Sequence, residues 1–281
     1  MINPQLKNYL RKSLIYLVLI MLVCLWLLPL VSTLLIAFKS PSDFLNSKFY
    51  HAPKQLFFFK NLQEVFRYYR LQNNFFNSIL YAVVGVAICI FVSSMAAFSV
   101  TKLKPKFSFL IFLGIYSGTV FPFQMYLIPL FSMYNKLGIY NTKFGMFLFY
   151  ATICTPFATF LYRGFFLSFP DEVMEAALID GCGPVRLYYQ IFVPQLVAPT
   201  AVVILFQAIW IWNDLLFGMV LSATEDVRPI MVAITQVAGT GGGNIPVMMS
   251  GVIFSSIPTI LLFIGLRKYF IQGYILSSVQ K

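Results

Sequence analysis

The sequence predicts an all-α, polytopic membrane protein. Three observations carry that prediction. Of 281 residues, 59% are hydrophobic and only 10% are charged, against about 45–50% and about 25% in soluble domains. Mean hydropathy is +0.82. Six apolar segments approach or exceed the roughly 20 residues a helix needs to cross a bilayer. The same composition excludes a disordered chain, a coiled coil and an ordinary soluble enzyme. Four cysteines are too few for a disulfide scaffold of this length.

The first segment, Ser13–Phe38, is too long for a signal-peptide core of roughly 7–15 residues, and no small-x-small cleavage site follows it. It reads as an uncleaved span. Lys7, Arg11 and Lys12 before it argue for a cytoplasmic N-terminus. Phe75–Val100 is the second span. The third, Phe107–Phe131, contains Pro122 and Pro129, so its helix is expected to end near Phe121–Phe123 and give way to an irregular or re-entrant piece. Phe144–Tyr162, Thr200–Leu221 and Pro246–Leu266 complete the set, with a kink expected at Pro258. Six spans from a cytoplasmic start put both termini inside. The short basic turn Lys102–Lys106 supports this orientation, while the basic stretch 39–74 opposes it unless it is an ordered extracytoplasmic element.

The net charge of +11 lies mostly outside the spans, which suits anionic lipid headgroups and not nucleic acid. Cys24, Cys89 and Cys154 sit in apolar stretches, and with Cys182 they read as small hydrophobes and not metal ligands. His51 is the single histidine, so a histidine-based metal site or catalytic triad is not expected. Tyr68 and Tyr69, flanked by Arg67 and Arg70, read as an interfacial aromatic belt or as a contact for a binding protein.

The stretch 163–199 between the fourth and fifth spans is too polar for lipid and too patterned for a linker. Ser168, Pro170, Asp171 and Glu172 give a helix start, with Ser168 and Asp171 spaced like a capping box, and Gly181 gives a left-handed stop. Gly183 and Pro184 open a second short helix that Pro194 is expected to close. Four of the nine acidic residues, Asp171, Glu172, Glu175 and Asp180, fall here. Net negative charge matches an anionic leaflet poorly, so a protein partner is the better reading. Ala176 and Ala177 are small enough to admit another backbone.

The run Glu175-Ala176-Ala177, then Asp180-Gly181, Ile191 and Pro194, resembles the cytoplasmic coupling loop of ABC importer permeases. Val193 stands where that family often has leucine. Pro122-Phe-Gln124, Ile128–Phe131, Leu137–Ile139 and Asn141-Thr142 resemble the third-span exit of carbohydrate permeases. Asn74–Ser78, Trp212-Asn213-Asp214, Arg228-Pro229-Ile230 and Phe270–Gly273 resemble further family segments, and Ser277–Lys281 departs from the usual ending. The resemblance is to the smaller permease subunit of maltose-type sugar importers. It implies a type I ABC importer permease fold with coupling helices between spans 4 and 5. The expected division is 1–73 (tail, first span and extracytoplasmic loop), 74–266 (permease domain) and 267–281 (cytoplasmic tail).

The resemblance also implies the partners: a second homologous permease, two ATPase subunits and an extracytoplasmic solute-binding protein, in a bacterial or archaeal cell (inner) membrane. Glu175 and Asp180 would dock on the ATPase, Gly181 would hold the turn, and Ala176, Ala177, Ile191 and Pro194 complete the loop. ATP and magnesium would sit on the ATPases, because this chain has no Walker A pattern and no Gly-Lys dipeptide. It is expected to be no enzyme and to bind no cofactor itself. The glycines 239 and 241–243 read as a loop. Asp214, the one acid within an apolar span, has two readings: with Trp210 and Asn213 it lines a sugar pathway, or it pairs with a neighbouring helix or subunit. The rival classes are a polyol or glycerol-phosphate permease of the same family, a self-sufficient secondary transporter, which would carry charges in several spans and an inverted repeat, and an intramembrane enzyme.

Overall fold

A computed structural model describes residues 4–239 and 244–279, with side chains at these positions except 4–7, 10, 68–69, 238–239 and 270–279. Every regular element among them is helical. The glycines 241–243 and the last two residues lie outside the described residues, as do the side chains of Tyr68, Tyr69 and the stretch 270–279. The chain divides into two compact units, Met1–Arg70 with Ile234–Phe254, and Leu71–Ala233 with Ser255–Lys281.

The first unit begins with α1 (Pro4–Ala37), whose Arg11–Ala37 portion is long and apolar enough to span a membrane. Its apolar side chains are exposed nearly all round, as expected of a helix that faces lipid or another subunit. Two short helices follow, α2 (Pro41–Asn46) and α3 (Phe58–Tyr69). Lys39 is fully buried between them, and its Nζ donates to Ser47 Oγ at 2.7 Å and to the Lys48 carbonyl at 2.6 Å. Asn61 Nδ2 closes the end of α1 by donating to the carbonyls of Ala37 and Lys39 at 3.0 and 2.8 Å. The basic stretch 39–74 is therefore ordered, because its buried cation and amide are satisfied internally.

The second unit carries most of the remaining spans. α4 (Leu71–Phe98) continues through a π-helical turn at Ser99–Leu103. α5 (Ser108–Tyr116) runs on to Thr119, the chain bends by 88°, and Phe123–Tyr126 lead into α6 (Leu127–Lys136). The break falls at Pro122. Pro129 lies in the first turn of α6, where a missing N–H is tolerated, so it interrupts nothing. α7 (Lys143–Ser168) packs on α4. Gly85 permits this approach, since a Cβ there would stand 3.0 Å from Tyr150 Cβ. Tyr81, Tyr150, Tyr162 and Phe166 fill the resulting core.

The fifth span differs from the expected Thr200–Leu221. A continuous apolar helical path runs from Pro184 to Trp212. It comprises α9 (Pro184–Leu187), a π-helical turn at Tyr188–Phe192, a 3-10 turn at Val193–Leu196 and α10 (Val197–Trp212); α8 (Asp171–Ile179) precedes it. Pro194 does not close the second short helix. The widened turn before it and the tightened turn that contains it absorb the lost N–H and the ring, and the path continues. At the other end α10 stops at Trp212, and Leu216–Leu221 form a separate short helix, α11. Two helices cross from one unit to the other, α12 (Ile230–Gly239) and α13 (Ile245–Val279), and α13 runs through Pro258.

One side of the second unit is held by amide-to-carbonyl bonds. Asn74 and Asn77 donate to the Arg228 carbonyl at 3.0 and 3.2 Å, and Asn77 also to Asp226 at 3.0 Å. Tyr81 OH donates to the Val227 carbonyl, and Ser78 Oγ accepts from Ile230 N. Asn141, at a φ of 53°, accepts from the amides of Ala223 and Thr224. These polar residues staple the 222–230 segment to α4 and to the start of α7.

Thr142 caps α7 by accepting from Gly145 N at 3.0 Å, and a Cβ on Gly145 would lie 2.3 Å from the Ile139 carbonyl. A Cβ on Gly164, also in α7, would meet nothing within 4 Å. Gly145→Ala should cost about 1–3 kcal/mol through a backbone clash. Gly164→Ala should be neutral or stabilise by up to about 1 kcal/mol. Thermal unfolding in detergent, followed by size-exclusion chromatography, should show a lowered midpoint for Gly145→Ala and an unchanged or raised one for Gly164→Ala.

Candidate functional site

The loop between α7 and α10 is organised by its turns. α8 ends in a Schellman motif: Gly181 N donates to the Leu178 carbonyl at 3.0 Å and Cys182 N to the Ala177 carbonyl at 2.9 Å. Gly181 takes φ +75°, the left-handed conformation this motif requires. Gly183 then caps α9, with Pro184 at its first position. The start of α8 is not the capping box the spacing suggested. Ser168 Oγ donates back to the Phe165 carbonyl, and Pro170 is the cap residue, with no side-chain bond.

What holds the start of α8 is Lys102, from the π-turn that ends α4. Its side chain is 3% exposed. Nζ donates to the Phe169 carbonyl at 2.8 Å and to Asp171 Oδ1 at 2.5 Å. The hydrogen bond from Lys102, and then its charge, hold the Asp171 carboxyl below the usual carboxylate range. Lys102 in the sequence is a basic residue of a short turn, and nothing local marks it as the anchor of a helix 69 residues away.

The loop has an inner and an outer face. Ala177 is 8% exposed and joins the core with Leu187, Tyr188 and Phe192, while Met174, Cys182 and Ile191 pack partly against it. This corrects the expectation that both alanines face a partner: Ala176 is exposed and Ala177 is not. Glu172, Glu175, Asp180, Gly181 and Pro194 are exposed. Apolar side chains stand among these acids, with Ile179 86% exposed and Val185 71%. The sequence reading missed both, although a water-facing isoleucine one position before the Asp180-Gly181 stop breaks the amphipathic pattern and could have been noticed.

The second candidate region is the end of α10. Asp214 is buried, and its carboxylate is fully used. Oδ2 accepts from Tyr150 OH and from Gly218 N, both at 2.9 Å, and Oδ1 accepts from Phe217 N at 3.2 Å. The acid thus caps α11 and ties it to α7, which is the neighbouring-helix reading. Asn213 is exposed, with its amide donating to the Ile209 carbonyl at 2.8 Å. Trp210 is half-buried. Trp210, Asn213 and Asp214 nevertheless border one cavity, together with Phe123, Phe206 and Phe217. Among the described residues no cluster of three His, Cys, Asp or Glu side chains could hold a metal ion.

The clamp on α8 should respond to charge. Because the folded-state pKa of Asp171 is depressed, the contribution of the pair is complete above the ordinary carboxylate value, near 4. It is lost as pH falls through the depressed one. Lys102→Met and Asp171→Asn should each raise protease cleavage in 168–183 several-fold at neutral pH, whereas Lys102→Arg should leave it near wild type. Limited proteolysis of the purified protein reads this directly.

Comparison with known proteins places this geometry. Residues 72–275 match the family model described as the binding-protein-dependent transport system inner membrane component. The chain is 27% identical to the osmoprotective compounds uptake permease protein of Synechocystis sp., over 96% of this chain and 93% of that one. It is 26% identical to the melibiose/raffinose/stachyose import permease protein of Bacillus subtilis, over 92% of each. Its fold superposes on a chain of a bacterial ABC transporter involved in import of the acidic polysaccharide alginate, with a TM-score of 0.82, 21% identity, and coverage of 94% of this chain and 98% of that one. The chain is a multi-pass membrane protein and belongs to the inner membrane components of binding-protein-dependent transport systems.

Proposed function

We propose that this permease imports a sugar or oligosaccharide and forms half of a translocation pathway with a second, homologous permease. In this reading two separate ATPase subunits hold ATP and magnesium, this chain holds no cofactor, and a solute-binding protein delivers the substrate from outside. The membrane is the cell membrane of a bacterium or archaeon, with both termini cytoplasmic.

The observation that carries the coupling role is the two-faced loop. Its outer face presents Glu175, Asp180 and the exposed Ile179 and Val185 beside the left-handed Gly181. Its inner face is fixed by the core and by Lys102. An acidic rim around apolar knobs suits a groove on a protein and not a lipid surface. Docking by Glu175, Ala176, Asp180 and Gly181 on the outside, with Ala177 and Ile191 as the inner support and Pro194 at the edge, lets nucleotide-driven closure of the ATPases move α10. The carbohydrate assignment draws support from relatives whose names specify melibiose, raffinose and stachyose, and from the aromatic and amide wall around Trp210 and Asn213. A polyol-like solute is the second reading, favoured by the relative that takes up osmoprotective compounds.

The tagged chain, expressed with its partner subunits, should co-purify with an ATPase. Glu175→Lys and Gly181→Pro should abolish that association, the second because proline cannot reach φ +75°. Retention of the ATPase by both variants would remove the coupling assignment. Gly181→Ala meets no neighbour, so only its backbone conformation opposes it, by about 1–2 kcal/mol, and it should weaken the association without abolishing it. For orientation, Cys182 is half-buried in the loop, Cys89 and Cys154 are buried, and Cys24 lies within the first span. A membrane-impermeant maleimide should therefore label Cys182 in inside-out vesicles and not in right-side-out ones.

A further inference from the structure

A second cavity, of about 300 Å³, lies where the third span bends. Gly118 and Thr119 come from the limb before the bend, Phe123 and Tyr126 from the limb beyond it, Phe157 from α7, and Phe206, Gln207 and Trp210 from α10. It shares Phe123, Phe206 and Trp210 with the cavity beside Asn213 and Asp214, so the two form adjoining stretches of one aromatic wall.

Gln207 sets this cavity apart. It is 7% exposed, and its amide has no hydrogen-bond partner among the described residues. The amide is not sealed inside the protein but opens on the cavity, where a hydrogen-bonding occupant can reach it. The indole N–H of Trp210 and the hydroxyl of Tyr126 likewise have no partner among the described residues. By contrast, the larger apolar cavity among α4, α10 and α13 has its polar side chains already bonded, Trp212 to the Ser255 carbonyl and Thr259 to the Ser256 carbonyl.

We infer that the Gln207 cavity is a binding subsite for one glycosyl unit of the transported carbohydrate, with Gln207 and Trp210 as the residues that read its hydroxyls. This inference rests on the carbohydrate reading above. Flat aromatic rings pack against the C–H faces of a pyranose, and an amide serves as both donor and acceptor to its hydroxyls. An acyl chain would fill the same aromatic space but leave the amide unpartnered. The volume lies at the small end of ligand pockets, about 300–1,000 Å³, which suits one ring at a time and stepwise passage of a longer chain. Asp214 takes no part, because its oxygens are spent on Tyr150, Phe217 and Gly218.

The test uses the complete transporter in proteoliposomes, with radiolabelled melibiose, raffinose and stachyose as probes. Gln207→Met conserves length and removes the amide, and it should lower uptake about tenfold, the loss expected for one buried hydrogen-bonding group. Binding-protein-stimulated ATP hydrolysis should stay within about twofold, since the coupling loop is untouched. Trp210→Leu should lower uptake likewise, and Trp210→Tyr should restore most of it. If Gln207→Met fails to assemble, Gln207→Asn decides, because an amide withdrawn by one methylene should still lower uptake selectively. Uptake by the decisive Gln207 variant within about twofold of wild type overturns the inference, as does a parallel fall of uptake and ATP hydrolysis. A wild-type transporter that takes up none of the three sugars overturns the carbohydrate reading and the subsite with it.

Discussion

Hydrocarbon offers no hydrogen bonds, and that constraint decides where polar side chains sit in the helical bundle. Ser93 and Ser94 turn their hydroxyls onto carbonyls one turn back, and Ser94 also meets Tyr188 OH at 2.7 Å. Tyr162 meets Thr200 at 2.8 Å. Tyr150 reaches Asp214, and Trp212 reaches the Ser255 carbonyl. Each pair joins α4, α7, α10 or α13 to a neighbour where the apolar effect cannot discriminate one helix face from another. Beside these pairs, Lys39 and Lys102 stand out as buried basic side chains that reach carbonyls, and Gln207 as an amide that opens on a cavity.

Much of this was legible in the sequence, and the reasons differ from element to element. Long apolar runs located the spans, since composition over about 20 residues carries the signal. The third-span break was readable because Pro122 follows the apolar helix directly. The left-handed stop at Gly181 was readable because only glycine takes that conformation cheaply. The end of the fifth span was not. Pro194 reads as a terminator by local rules, yet a widened turn before it carries the helical path through. Trp212-Asn213-Asp214 looks like a continuation, yet Asp214 starts a new helix with its own carboxylate.

The same limit applies to the loop between α7 and α10. The spacing of Glu175, Asp180 and Gly181 is local and visible. The identity of the residue that fixes the loop is not, because Lys102 and Asp171 are brought together only by the packing of α4 on α7. The inward turn of Ala177 and the outward turn of Ile179 likewise depend on which side of α8 meets Leu187 and Phe192. The roles of Asn74, Asn77 and Asn141 follow the same pattern: each is a polar residue beside an apolar span until the carbonyls and amides of 222–230 arrive.

The uninterrupted path from Pro184 to Trp212 has a mechanical consequence. At about 1.5 Å per residue its 29 residues extend roughly 40 Å, so the segment next to Gly181 and the segment beside Gln207 and Trp210 belong to one push-rod. A tilt of about 5° at one end moves the other by roughly 3–4 Å over that length, a displacement comparable to the thickness of a sugar ring. Within this path the helical hydrogen-bond pattern departs from the α-helix at 188–196, through a π turn and a 3-10 turn, between the segment next to Gly181 and the regular helix Val197–Trp212.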